Sequence, residues 1–320
     1  MLIIDNLIQR IDEKTCPIIV GLDPFIQLIP SHIKRRSRNE FGNSQRAAAE
    51  SLYLFNKEII ETLDSLIPAV KLQMACYELY GAFGMEAFRK TLHLAKEHDL
   101  IVIDDSKRND IGSSSELYAI GHLGHPPLIE GEDSSDQPDF LTVNPLFGSD
   151  SIDPFVKVCR NHNKGIFILA RTSNPSAKEY LEARLGKVFL YERIALDIEK
   201  RARLYLGDRG YSPLGAVVGA TWAEETEKLR VLAPSTYFLV PGYGAQGGTA
   251  DRILPAFDRN GYGALVNSSR DILFAYRNKQ FRERYGNGRQ FAEASKKALL
   301  LMKEEILQSL KRAKKLPRNW

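Results

Sequence analysis

Cysteine is scarce in this sequence, and long apolar runs are missing altogether. The chain has 320 residues and three widely spaced cysteines, Cys16, Cys76 and Cys159. They form no CxxC pair and no Cys/His cluster at metal-ligand spacing, so neither a disulfide framework nor a zinc site is indicated. No apolar stretch approaches the roughly 18 residues that span a bilayer. The start, "MLIIDNLIQRIDEK", is amphipathic and lacks the basic-then-apolar order of a signal peptide. We therefore expect a soluble, cytoplasmic protein with no membrane partner.

Excess charge of either sign is also small. The formal net charge is +4, and the basic excess sits mainly at the C-terminus, in "KRAKKLPRNW" from Lys311. A nucleic-acid-binding protein more often has a basic patch interleaved with aromatic residues. We interpret the basic end as a solvated helix terminus and expect no nucleic-acid partner.

Short apolar runs bounded by Pro, Gly or charged residues recur along the chain. They are apolar at successive positions instead of alternating, which is typical of parallel strands covered on both faces. The eight runs span residues 16–24, 67–75, 100–105, 139–145, 165–172, 214–221, 236–242 and 262–269.

Amphipathic helical patterns separate these runs. One starts at Asn43 as its capping residue, and another covers most of the forty residues between the fifth and sixth runs. Eight strands alternating with helices predict an α/β fold, a (β/α)8 TIM barrel with extra N- and C-terminal helices, forming one domain over 1–320. A doubly wound open sheet is the alternative, but it normally has fewer strands and a GxGxxG turn after its first strand. The polar stretch 124–139 is interpreted as a surface loop.

Polar residues follow the apolar runs where barrel enzymes carry their chemistry, at the carboxyl ends of the strands. They are Asp23, Lys71, Asp105, Lys107, Asp110, Asn144, Thr172, Ser173, Ser269 and Arg270. Because these strand ends meet at one rim of a barrel, we expect the side chains to converge there.

The stretch "IVIDDSKRNDIG", residues 101–112, has the densest charge. Asp105 and Lys107 are two apart, so an extended backbone points both to the same face, and Asp104 to the other. A solvent-exposed salt-bridge cluster is the simpler interpretation. Lys71 favours a functional one, because a lysine between "IPAV" and "LQMA" is costly to bury unless it faces a polar cavity. Asp104 and Arg108 are then expected to be structural charges.

The turn "VPGYGAQGG", residues 240–248, and the segment "NSSRD", residues 267–271, follow the last two runs. Barrels build phosphate sites at these positions from backbone amides and a short helix N-terminus. Gln246 can donate through its amide, and Arg270 can bind phosphate oxygens with two parallel donors. The pair predicts a phosphate site.

In their order, these motifs resemble one known family. Residues 105–112, "DSKRNDIG", resemble the D-x-K-x-x-D-I signature of orotidine 5′-phosphate decarboxylases. "GLDP" with Asp23, "VKLQ" with Lys71, "TSNPSA", "PGYGAQGG" and "SSR" follow the family's order over essentially the whole chain. The "TSNP" wording and the chain length are similar to the longer bacterial subgroup. The resemblance implies decarboxylation of orotidine 5′-monophosphate to UMP, the last step of de novo pyrimidine synthesis, without metal or organic cofactor.

The resemblance also implies roles for single residues. Lys107 would be the general acid that gives a proton to C6 of the pyrimidine, and Asp105 would lie against the departing carboxylate. Lys71 and Asp110 would complete the charged array. The implied substrate-binding residues are Asp23 at the ribose, Asn144, Ser173 at the pyrimidine amide edge, and Gln246 and Arg270 at the phosphate.

By the same resemblance the protein would be a homodimer. Asp110 and Ser114 would reach into the partner's site, and Ser114 stands where the family commonly has threonine. The hydroxyl group is kept at that position.

Two other functions stay open at this point. A magnesium-dependent sugar-phosphate decarboxylase or aldolase of the same superfamily would share D-x-K-x-x-D but carry an acidic residue in place of Lys71. A non-catalytic nucleotide-sensing barrel would keep Gln246 and Arg270 but has no need of Asp105 and Lys107.

Overall fold

Eight parallel strands close into a barrel, which confirms the predicted fold class. The computed structural model describes residues 1–244 and 247–320. The barrel order is β1-β10-β9-β8-β5-β4-β3-β2, and β6 and β7 form a separate hairpin. The strands are β1 (Ile18–Leu22), β2 (Ala69–Gln73), β3 (Ile101–Arg108), β4 (Phe140–Val143), β5 (Gly165–Arg171), β6 (Arg184–Leu185), β7 (Val188–Phe189), β8 (Ser212–Val218), β9 (Thr236–Pro241) and β10 (Ala264–Ser268).

Helices surround this barrel and connect its strands. They are α1 (Ile3–Lys14), α2 (Ser31–Phe41), α3 (Gln45–Leu63), α4 (Met74–Glu78), α5 (Gly81–Glu97), α6 (Gly112–Leu123), α7 (Ser149–His162), α8 (Ala177–Leu181), α9 (Leu190–Ala202), α10 (Ala223–Leu232), α11 (Ala250–Ile253), α12 (Arg270–Leu273), α13 (Lys279–Tyr285) and α14 (Phe291–Arg312). Short 3-10 helices lie at Ile26–Leu28, Leu254–Ala256 and Ala275–Arg277. The extra N- and C-terminal helices are therefore α1 and α14.

The barrel has two apolar layers, an interior and an outer shell. Helix α1 packs Ile4, Leu7 and Ile8 against inward-facing strand residues such as Phe140 and Phe167. It thus closes the end of the barrel opposite the polar rim, and the rim end is left for a site. The outward faces of the strands pack against the surrounding helices, whose apolar residues form the larger core.

Two local expectations were wrong. The segment between the fifth and sixth barrel strands is not one helix, because an antiparallel pair, β6 and β7, separates α8 from α9. Gly186 turns this hairpin with φ of 64°, a conformation that glycine adopts without strain. The cap of α3 is Ser44 and not Asn43, since the Ser44 hydroxyl accepts from the Ala47 amide at 3.1 Å.

The polar stretch 124–139 is irregular, as predicted, apart from one isolated bridge between Pro127 and Glu132. Its backbone runs over the surface from α6 to β4. Among the described residues, no helix combines the length and the apolarity needed to cross a bilayer.

Candidate active site

A cavity of about 430 Å³ opens at the carboxyl ends of the barrel strands. Six of the predicted site residues line it: Asp23, Lys71, Asp105, Lys107, Ser173 and Arg270. They come from the residue after β1, from β2 and β3, from the segment after β5 and from the first residue of α12. Of the ten strand-end residues expected to converge on one rim, the structure brings eight to this cavity, these six together with Thr172 and Ser269.

Asp105 is the centre of a charged array on the cavity wall. Its Oδ2 lies 2.7 Å from Nζ of Lys71, and its Oδ1 lies 2.6 Å from Nζ of Lys107. Lys71 also approaches Oδ1 of Asp23 at 3.4 Å. The side chains of Lys71 and Asp105 are 5% and 9% exposed, whereas that of Lys107 is 44% exposed. Lys107 is thus the ammonium group of the array that is presented to an incoming ligand.

The array holds its buried groups in their charged forms. Burial alone would raise the pKa of Asp105, but the ammonium groups of Lys71 and Lys107 outweigh it and hold the pKa well below its usual range. Burial would lower the pKa of Lys71, but the carboxylates of Asp105 and Asp23 raise it above the usual lysine value. A carboxylate between two ammonium groups therefore persists at neutral pH.

A bulge in β3 positions this array. From Asp104 to Arg108 the strand advances four residues while its partner advances only from Leu141 to Val143. Lys107 has φ of 51° there. The Thr142 hydroxyl lies opposite, where it accepts from the Lys107 amide at 2.9 Å and donates to Oδ1 of Asp105 at 2.9 Å. Thr142 thus ties the bulged backbone to the carboxylate.

The other register of β3 faces away from the cavity, as expected. Asp104 is fully buried, accepts from the Ser106 hydroxyl and lies 2.7 Å from Nδ1 of His122 on α6. Nε of Arg108 lies 3.1 Å from Nε2 of the same imidazole, and its guanidinium pairs with Glu78. These contacts join the strand to α6 and α4, so Asp104 and Arg108 serve the scaffold.

Three lining residues were missed from the sequence. Thr142 lies inside the apolar run "FLTVNP", where no sequence pattern marks its hydroxyl group as functional. Gln73 donates to Asp105 at 3.1 Å and is hidden in the "VKLQ" motif. Asn267, 6% exposed, has an Oδ1 with no hydrogen-bond partner within the described ranges. Its position at the end of β10 was the available signal, and its acceptor oxygen suits a ligand hydroxyl.

Three predicted residues do not line the cavity of this single chain. Asp110 accepts from the amide of Ile111, and Ser114 is exposed on α6. The Asn144 carboxamide accepts from the Leu146 amide at 3.0 Å, so it caps the turn after β4. A fourth predicted residue, Gln246, lies outside the described residues.

The far wall of the cavity has the features predicted for an anion site. Arg270 begins α12 and lines the cavity together with Ser269 and Gly242. Gly242 and Gly244 have φ of 101° and 75°, so the turn after β9 adopts backbone conformations that favour glycine. At Gly21 of β1, a Cβ would come within 2.0 Å of the Ser269 hydroxyl, so only glycine lets β1 approach this wall.

The arrangement suits charge stabilisation and proton transfer. Lys107 presents an ammonium group next to a carboxylate, and Arg270 lines the same cavity. Within residues 1–244 and 247–320, no cluster of three or more His, Cys, Asp or Glu has the geometry to hold a metal ion. An ammonium group aimed at a carbon that becomes a carbanion both stabilises the charge and supplies the proton.

Known proteins are similar to this chain in sequence and in fold. The model of the orotidine 5′-phosphate decarboxylase / HUMPS family matches residues 17–285. An orotidine 5′-phosphate decarboxylase of Clostridium perfringens is 38% identical over 311 residues, which cover 97% of this chain and 99% of that protein. The enzyme of the same name from Rhodopirellula baltica is 41% identical over 274 residues, 86% of this chain and 88% of that one.

Solved structures agree. The structure of Leishmania donovani OMP decarboxylase superposes with a TM-score of 0.66 at 26% identity and covers 94% of this chain and 99% of that one. The match of the family model and the near-complete coverage of these relatives lead to one conclusion: the chain belongs to the orotidine 5′-phosphate decarboxylase / HUMPS family.

Proposed function

We propose that this protein decarboxylates orotidine 5′-monophosphate to UMP and CO₂ in pyrimidine biosynthesis, with Lys107 as the proton donor to C6. The observation that carries the proposal is the Lys71–Asp105–Lys107 array, with Nζ–O distances of 2.7 and 2.6 Å, in a cavity that Arg270 also lines. The names of its relatives, orotidine 5′-phosphate decarboxylases over nearly the full chain, support the substrate.

The chemistry is one bond broken and one formed. The bond between C6 and its carboxylate breaks, CO₂ leaves, and the electron pair stays on C6. That carbanion takes a proton from the Lys107 ammonium, which becomes a neutral amine and regains its proton from water. No oxidant or reductant is consumed. A preorganised ammonium group at C6 stabilises the charge while it develops, which lowers the barrier.

Asp105 has two roles in this proposal. Its carboxylate holds the ammonium groups of Lys71 and Lys107 in place, so they need no reorganisation during the reaction. It also stays ionised next to the substrate carboxylate, because its pKa is held well below the usual range. Two neighbouring carboxylates repel each other, and loss of CO₂ relieves that repulsion.

The remaining predicted residues bind the nucleotide. Asp23 and Lys71 hold ribose hydroxyls, Ser173 bonds the pyrimidine edge, and Arg270 and Gln246 take the phosphate. Asn144 is the weakest of these assignments, because its carboxamide is engaged by the Leu146 amide outside the cavity. We place the reaction in the cytoplasm, in one catalytic domain over 1–320.

The direct test is to mix purified protein with orotidine 5′-monophosphate and follow the loss of its ultraviolet absorbance. We expect turnover, unchanged after treatment with EDTA, because an ammonium group takes the place that an acidic metal ligand would need. Activity that disappears with EDTA and returns with Mg²⁺ would instead support the sugar-phosphate alternative. No turnover with this substrate would refute the proposal.

The active unit in this proposal is a homodimer, with Asp110 and Ser114 completing the partner's site. Both residues lie outside their own chain's cavity. Large apolar side chains surround them on the surface: Ile111 is 55% exposed, Leu117 69% and Leu146 71%. An apolar patch of this kind beside the site is typical of a subunit interface. A second copy of the chain would cover it.

Mixing two inactive variants tests the shared site. In a heterodimer of Lys107→Ala with Asp110→Ala, one site carries both changes and the other carries neither, so random mixing restores about a quarter of wild-type activity. If Asp110 acts in its own chain, both sites stay defective and mixing restores nothing. Mixing Lys107→Ala with Lys71→Ala, which share one chain's site, is the matched comparison.

A further inference from the structure

Besides the basic C-terminus, this protein has a second and larger concentration of positive charge on another surface. The segments 31–42 and 275–290, which we call the basic surface, contain nine Lys and Arg residues and two Glu residues, a formal charge of +7. The whole chain carries +4, so the rest of the chain is at −3. The cations are Lys34, Arg35, Arg36, Arg38, Arg277, Lys279, Arg282, Arg284 and Arg289.

The two segments form one continuous surface in the fold. Tyr276 donates its hydroxyl hydrogen to the Leu28 carbonyl, just before α2. A Cβ on Gly288 would lie 3.2 Å from Cβ of Pro30, which precedes α2 directly. Arg35 and Arg289 both lower the pKa of His32, after the larger effect of burial. Cations of both segments therefore act on the same region.

These cations form no close ion pairs in the described part of the chain, although Arg36 acts electrostatically on the carboxyl of Glu58. Ion pairs are common elsewhere in the molecule, but within the described ranges none joins any of the nine to a carboxylate. Like charges one turn apart on a helix, such as Lys34 and Arg38, destabilise it. The like charges of this surface thus cost folding free energy, and together they provide a long-range positive field.

Both segments of the basic surface follow barrel strands whose carboxyl ends lead into the cavity. Strands β1 and β10 are neighbours in the barrel, and each segment follows the carboxyl end of one of them. The first segment starts eight residues after Asp23, and the second starts five residues after Arg270; both of those residues line the cavity. Both segments thus begin close in sequence to residues of the cavity wall, and the second follows Arg270, which is proposed to take the phosphate.

From this placement we infer that the basic surface recruits the anionic nucleotide and steers it phosphate-first into the cavity. The inference rests on the proposed function, because the substrate then carries a phosphate and a carboxylate. Positive potential around a cleft raises the association rate of anions about 10- to 1,000-fold at low ionic strength. Salt screens it within a Debye length of about 8 Å at 0.15 M.

The surface is poorly suited to a polyanion such as RNA. Single-stranded nucleic acid is bound by aromatic side chains that stack on bases between cations. Here the aromatic residues of the second segment are buried: Tyr276 is 6% exposed, Phe281 9% and Tyr285 4%. Arg284 lies over the ring of Tyr285, but that ring is buried, so the surface offers bases little to stack on, which favours a small mobile anion.

The test compares two variants that lose equal charge at different places. One carries Arg35→Gln, Lys279→Gln and Arg282→Gln on the basic surface. The other carries Lys311→Gln, Lys314→Gln and Arg318→Gln, exposed positions near Trp320, which bonds to Asp12 of α1 at the opposite end of the barrel. Stopped-flow fluorescence then gives the association rate constant of UMP with each protein from 10 to 500 mM NaCl.

We expect association with the basic-surface variant to be about tenfold slower than wild type at 10 mM NaCl and equal at 500 mM. The control variant stays within about twofold of wild type throughout, and kcat is the same for all three proteins. Equal effects of the two variants would overturn the inference, as would a defect that persists at high salt. RNA binding at 150 mM NaCl that only the basic-surface variant loses would also overturn it.

Failure of the proposed function gives a different result. Wild-type protein would then show no UMP association at any salt concentration and no decarboxylation. Normal decarboxylation with salt-independent UMP association leaves the proposed function intact and refutes only the steering surface.

Discussion

Strand β3 has two faces that carry similar charges and do different things. On the inner face, Asp105 contacts two ammonium groups in the cavity. On the outer face, Asp104 is bound by the Ser106 hydroxyl and by His122, and Arg108 lies against the same imidazole. Both carboxylates are buried, at 8% and 0% exposure, so burial does not distinguish them.

What distinguishes the two carboxylates is the kind of donor that each one faces. Nε of Arg108 donates to Nε2 of His122, so we assign the proton of the imidazole to Nδ1. The donor that faces Asp104 is therefore the N–H of a neutral imidazole ring. The outer face is thus a closed hydrogen-bond network between strand and helix. The inner face ends in a half-exposed ammonium group, and such an open end is what a substrate can use.

The largest contrast is expected between the neighbours Lys107 and Arg108. Lys107→Ala removes the proposed proton donor and the charge at C6, so kcat should fall about 10⁴-fold or more. UMP binding, measured by calorimetry, should persist. Arg108→Ala breaks only contacts on the outer face, so kcat should stay within about threefold and stability should fall by about 1 kcal/mol. Near-normal turnover by the Lys107→Ala variant would show that Lys107 is not the proton donor.

A second contrast compares Asp105→Asn with Asp104→Asn by unfolding in urea at several pH values. The pKa of Asp105 is lowered in the folded state, so its contribution to stability is present above its unfolded value of about 3.9 and is lost as the pH falls further. The pKa of Lys71 is raised, so its contribution is present below about 10.5 and is lost as the pH rises through its folded value.

Asp105→Asn should therefore cost about 3–5 kcal/mol between roughly pH 5 and 9, since it leaves a buried ammonium group without its main partner. That cost should shrink below about pH 4, where the carboxylate of the unfolded wild-type chain becomes protonated. The Asp105→Asn substitution should also abolish most of the decarboxylase activity. Asp104→Asn should lower stability and spare kcat, and a large loss of kcat there would end the distinction between the two faces.

The sequence predicted which residues of β3 point to the same face, because residues two apart in a strand share a face. The sequence also predicted the barrel and the positions of Asp23, Lys71 and Arg270, because the apolar runs indicated the strands and the polar residues marked their carboxyl ends. The bulge in β3 could not be predicted from the sequence. It depends on the register between β3 and β4, which is a tertiary property, and on the Thr142 hydroxyl inside an apolar run. Asp110 and Ser114 were expected in a site, and neither lines the cavity of its own chain.

Thr142 offers the finest test, because it lies where the two faces separate. Thr142→Val keeps the shape but removes the hydroxyl, so the Lys107 amide loses its acceptor and Asp105 loses one donor. Each lost bond of this kind costs about 1 kcal/mol. With the bulge held less firmly, Nζ of Lys107 spends less time aimed at C6, and kcat should fall about tenfold while KM changes little.

The control for this last change is Thr142→Ser, which keeps the hydroxyl and loses only a methyl group. It should restore kcat to within about threefold of wild type, although the small cavity it leaves costs about 1 kcal/mol of stability. If both variants lose stability equally and neither loses kcat, the hydroxyl only supports the strand. If only the Thr142→Val variant loses kcat, the bulge helps to position the ammonium group of the proposed proton donor, Lys107. The inner face of β3 then depends on a residue of the neighbouring strand.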